Sequence, residues 1–190
     1  QISSAKDMAI LSNRVNLAHA AARAGVLEHP YIGATLSHPL LVNNINMVKI
    51  SDPFLRSHQL GYFYALQTFR LDQDWHLPTT SASADTLPAC ANDIQMHFDS
   101  EKKVWTVQGH LLINKTAPAS NFIIVHQEKI VGFGLPVRPE GNLLPFSQMP
   151  ADLQQFRAFV LESRTHHNNP FYVYGLTDGL VVCRQQALNF

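Results

Sequence analysis

The sequence predicts an α+β chain, with N-terminal helices followed by an antiparallel β-sandwich of jelly-roll-like type. Two observations carry this reading. Before about residue 65 the apolar residues recur every three or four positions, whereas from about residue 90 they recur at every second position. Strand-like runs also follow the helical ones instead of alternating with them, which argues against a parallel α/β sheet. The expected organisation is a helical segment over 1–70, a linker over 71–89 and the β domain over 90–190.

The first helix is marked by Ser4 and Asp7, spaced as in a capping box with Asp in place of the usual Glu. Met8, Leu11, Val15, Ala18 and Ala22 then form one apolar stripe, and Gly25 is a natural stop. His38-Pro39 and Asp52-Pro53 each read as a helix start with proline in the first turn. Leu40, Leu41, Ile45 and Val48 fit one face of a short helix. Phe54 to Gln67 is apolar and aromatic and fits a helix end, a strand or both. Arg70 to Ala89 is polar and poor in pattern, as a linker or long loop is.

The β pattern opens after Cys90. Ile94, Met96 and Phe98 alternate with polar residues, and Asp99 to Lys103 makes a turn. Trp105, Val107, Gly109 and Leu111 occupy one face of the next strand. Asn114 to Ser120 has turn chemistry. Phe122–Val125 and Ile130–Gly134 read as two strands of a hairpin across the polar break His126–Lys129. Gly132 and Gly134 leave one strand face bare, as close packing by a neighbour requires. They lack the third glycine and following helix of a dinucleotide-binding turn. Pro136 to Pro150 reads as a loop, and Asp152 to Arg164 as a short helix running into a strand at Phe156–Leu161. Phe171–Tyr174 and Leu180–Cys183 are the closing strands, joined by the turn Thr177-Asp178-Gly179.

Composition narrows the function classes. Formal net charge is zero, and the sequence shows no basic stripe to neutralise phosphates, so no nucleic-acid partner is expected. No apolar run approaches the ~20 residues of a membrane span. The chain opens on Gln1 without a basic-then-apolar leader, and we expect it to be a fragment or a processed chain.

No motif for chemistry stands out. His97, His110, His126, His166 and His167 lack metal-site spacing; solvated or hydrogen-bonded histidines are expected, with His97 and His110 facing each other on paired strands. No Gly-x-Ser-x-Gly elbow is present. Paired acids for glycoside hydrolysis would come from Asp93, Asp99, Glu128, Glu140, Glu162 and Asp178, most of which fall in turns. Asn114-Lys115-Thr116 matches a glycosylation sequon but reads as a turn. No cofactor, metal or catalytic residue is assigned. Among the aromatics that stack on sugars when exposed, Trp75, Trp105, Tyr172 and Tyr174, Trp105 is expected in the core. Tyr172 and Tyr174 share a strand face and suit a binding surface better.

Two stretches resemble parts of multi-pass bacterial envelope proteins of the polysaccharide and lipid-linked-sugar glycosyltransferase type. Ala22, Ala24, Gly25 and Val26, then Leu60, Gly61 and Phe63, resemble the segment after the last membrane span. Cys90, Gly109, Ile123–Val125, Val131-Gly132-Phe133-Gly134, Arg138-Pro139-Glu140, Asp178-Gly179 and Cys183 resemble the β domain that follows. His110 stands where those proteins often carry Trp, and Glu140 where they more often carry Asp. The resemblance implies an extracytoplasmic domain on the periplasmic or extracellular face of a bacterial membrane, with a sandwich reminiscent of sugar-binding modules. It implies a glycan or lipid-linked sugar as partner, together with the membrane-embedded part of the same chain, where the chemistry would lie. Tyr172, Tyr174, His110 and Arg138 are the expected ligand-binding residues. A stand-alone secreted glycan hydrolase and a purely structural domain are the alternatives.

By count alone, Cys90 and Cys183 fit two free thiols as well as a bridge. One opens the β pattern and the other falls in its last strand, and the implied compartment is oxidising, so we expect a disulfide.

Overall fold

The computed structural model describes residues 17, 20–21, 23–26, 54, 57–58, 69–77, 87–112, 119–137, 150, 153–165 and 169–187. Among them are seven strands: β1 (Gln95–Asp99), β2 (Val104–His110), β3 (Asn121–His126), β4 (Lys129–Val137), β5 (Gln155–Leu161), β6 (Phe171–Thr177) and β7 (Leu180–Ala187). All pair antiparallel in one sheet of order β1-β2-β5-β4-β3-β6-β7. The expected antiparallel β-rich fold is present, and the described strands form one continuous hydrogen-bonded ladder. Alternation of apolar residues reports that a strand has a buried face; it does not report which sheet lies over that face. Leu17, Ala20, Ala21 and Arg23 are helical, as are Phe54, Ser57 and His58. The remainder of the expected helical segment lies outside the described residues.

The sheet curls until its two edges meet a common strap. The Arg184 N–H of β7 donates to the Pro88 carbonyl, the Leu112 N–H just beyond β2 donates to the Cys90 carbonyl, and the Asn92 N–H donates to the His110 carbonyl. Residues 88–92 therefore bond both to β7, one end of the strand order, and to the end of β2, beside the other. Cys90 and Cys183 form the expected disulfide inside this closure, their Cα atoms 5.1 Å apart.

One row of side chains crosses the inner face on all seven strands: Met96, Val107, Ala158, Gly134, Phe122, Gly175 and Cys183. Phe122 is flanked by glycine on both sides, and that is how a fully buried ring fits a tightly curled sheet. A Cβ on Gly175 would collide with the Cys183 sulfur and approach the Phe122 ring to 3.3 Å. Phe156, Val160, Ile124, Phe171 and Val173 complete this core.

The outer face is also covered. Leu17, Ala20, Ala21 and Ala24 pack on Phe159, Val137 and Val104. Phe69, Leu71 and Trp75 pack on Ile123, Ile130, Phe133 and Tyr174. Residues 72–75, within the stretch expected as linker or loop, hydrogen-bond along the start of β4. Asp72 N–H donates to the Ile130 carbonyl, Ile130 N–H to the Gln73 carbonyl, and Trp75 N–H to the Glu128 carbonyl.

Local expectations are corrected in three places. The stretch before Phe156 yields a strand from Gln155 followed by a 3₁₀ turn over Glu162–Arg164, where a helix leading into the strand was expected. β4 continues through Pro136 to Val137, two residues into the expected loop. His97 pairs with Thr106 and does not face His110. The turn between β1 and β2 sets that register, with Lys103 in the left-handed region at φ 56°.

Candidate functional site

A groove of about 470 Å³ lies on the outer face of β6 and β7. A volume of that order suits a small ligand. Its aromatic wall comes from Tyr172 and Tyr174, two residues apart on β6 and therefore on one strand face, as expected from the sequence. Their ring centroids lie 6.5 Å apart. Trp75 packs on Tyr174 with centroids 5.2 Å apart, and Phe69 supports Trp75 from behind at 5.5 Å. Tyr174 and Trp75 are almost covered, whereas Tyr172 is half-buried.

Arg184 of β7 sits opposite Tyr174 in the ladder. Its guanidinium carbon lies 4.5 Å from the Tyr172 centroid and 6.0 Å from that of Tyr174. Both distances suit attraction between a cation and the negative ring face. The Nε of Arg184 and the Nε1 of Trp75 are buried and have no hydrogen-bond partner among the described residues.

The turn between β3 and β4 forms another side of the groove, through Gln127 and Glu128. These residues have φ 48° and 60°, which a two-residue hairpin of the primed type requires and which non-glycine residues adopt at a cost. The bond from Trp75 N–H to Glu128, 2.6 Å long, holds the strained turn against the aromatic wall. Val125, Pro170, Asn169, His76 and Leu77 complete the lining. Glu128 is the one carboxylate residue among the described lining residues.

The other residues expected at the site lie elsewhere. His110 ends β2 and does not line the groove. Its Nδ1 is 3.1 Å from Asp93 Oδ1, and its Nε2 is 2.9 Å from the side-chain amide of Gln155. The His110 backbone N–H also donates to Asp93, at 3.2 Å. That bond first, and the imidazole contact second, hold the Asp93 carboxyl below the ordinary carboxylate range. Arg138 lies outside the described residues, as do His166, His167, Glu140 and the sequon at 114–116. The remaining candidate acids are dispersed. Asp99 accepts the N–H groups of Glu101 and Lys102, Glu162 lies 3.6 Å from Lys103, and Asp178 occupies the β6–β7 turn. His126 is buried and stacks on Phe171, and His97 is exposed. Among the described residues no three His, Cys, Asp or Glu side chains converge as a metal site would need.

Sequence reasoning missed Arg184 and named Glu128 only as a candidate acid, not as part of this groove. Arg184 breaks an apolar strand, which was a visible signal, but its face depends on an irregularity of the ladder. Comparison with protein-family models, with curated proteins and with solved structures finds no match to this chain. Among the described residues no helix is long and apolar enough to cross a membrane.

Proposed function

We propose that this chain is a non-catalytic, glycan-binding β domain. In this reading it belongs to a larger bacterial envelope protein, on the periplasmic or extracellular side, and the finer jelly-roll-like sandwich and N-terminal helices are part of the same proposal. The observation that carries it is the wall formed by Trp75, Tyr174 and Tyr172 beside Arg184. Aromatic faces offer flat apolar surface to the C–H faces of sugar rings, while a few polar groups at the rim orient the hydroxyls. The Cys90–Cys183 disulfide supports an oxidising compartment, since such bridges are rare where thiols are kept reduced.

The test is calorimetric titration of the oxidised protein with a panel of neutral and acidic oligosaccharides. Binding by the wild type, lost in Tyr172→Ala and kept in Tyr172→Phe, is the expected result. A protein that binds no member of the panel refutes the reading.

A further inference from the structure

We infer that the groove selects an acidic glycan, with Arg184 receiving the carboxylate of a uronic-acid unit. This rests on the glycan reading of the same groove and adds the chemical class of the sugar. Arg184 is half-buried, yet its guanidinium has neither an ion pair nor a hydrogen bond among the described residues; only the tyrosine rings hold it. A partly desolvated cation is normally matched by an acid. Arg164 shows the ordinary arrangement in this chain, paired with Asp72. Ring faces offset part of the desolvation of Arg184 but accept none of its N–H bonds. The planar guanidinium, with its donors uncommitted, matches a carboxylate through two parallel hydrogen bonds. The rings that position the cation also form the surface on which a sugar ring would lie, so one ligand unit can use both.

Besides the two tyrosines, His76 and Glu128 are the other titratable groups among the described lining residues. His76 is exposed, and Glu128 is exposed on the turn and is not ion-paired with Arg184. The carboxylate of Glu128 opposes an acidic ligand, so its removal should tighten binding of the acidic form alone.

The experiment uses the full oxidised chain and oligomers of galacturonate, alginate and hyaluronan, each beside its carboxyl-methyl-esterified counterpart. Esterification removes the charge and leaves the sugar rings in place. For the acidic oligomer that binds best, the ester is expected to bind about tenfold more weakly or worse, the scale of a charged hydrogen-bonded pair. Added salt should narrow this gap. Arg184→Gln should abolish the gap, Arg184→Lys should retain part of it, and Glu128→Gln should widen it. The lysine variant carries the test if the glutamine variant does not fold. Equal affinity for acid and ester overturns the inference and leaves the glycan reading standing. Binding to poly-glutamate but to no sugar, or to nothing in either set, overturns both.

Discussion

Phe122 and Phe156 stack across β4 with ring centroids 4.6 Å apart, although the strands that carry them are not neighbours. The strand between them presents Gly132 and Gly134 to the inner face, so no side chain intervenes. A Cβ on Gly134 would lie 2.8 Å from the Arg157 carbonyl oxygen and 2.9 Å from the Ala158 Cα. Both are backbone atoms, and neither can swing aside. Gly134→Ala should therefore destabilise the protein by about 1–3 kcal/mol, the cost of overpacking a dense core. Urea unfolding followed by tryptophan fluorescence measures this, and an unchanged midpoint would contradict the packing argument.

The disulfide joins positions 93 residues apart and ties β7 to the strap that meets β2. For a closed loop near a hundred residues the chain-entropy model assigns about 4–5 kcal/mol. The double variant Cys90→Ala/Cys183→Ala should lose stability on that scale, with the loss centred on the β domain. Oxidised protein unfolded without reductant should show no free thiol. Finding two would remove the bridge and weaken the case for an oxidising compartment.

The Asp93–His110 contact predicts a pH dependence of definite sign. The folded-state pKa of Asp93 is lowered, so its contribution to stability is fully present above the unfolded carboxylate value of about 3.9. It is lost as pH falls through the lower folded value. Wild type should exceed Asp93→Asn in stability at pH 7, and the difference should shrink as the pH falls below about 4. Paired urea titrations across that range test it; a difference that grows on acidification reverses the assignment.

Much of the strand layout was legible from local pattern. The period of two around Trp105 and Val107 reflects a geometric fact about extended chains, and the apolar run Phe122–Val125 reflects burial on both faces. The two tyrosines were legible as a shared face for the same reason. The sequence by itself also determined that Cys90 and Cys183 bracket the β region, and that Gly132 and Gly134 leave a bare surface.

Only the tertiary structure decided which faces meet. Counting back from the turn, Thr177 pairs with Leu180 and Leu176 with Val181, and a regular ladder would then set Cys183 opposite Tyr174. The register instead shifts between Gly175 and Leu176, placing Cys183 opposite Gly175 and Arg184 opposite Tyr174. Val181 accordingly belongs to the outer cluster and Cys183, two residues on, to the inner one. A slip of one residue exchanges the faces of every side chain beyond it. That slip turns Cys183 inward to Cys90 and Arg184 outward onto Tyr172, so one bulge underlies both the disulfide and the groove. No local pattern encodes it, because an extra residue in a strand is stabilised by what packs on either side of the sheet, and those partners lie about a hundred residues away in the chain for both Cys90 and Trp75.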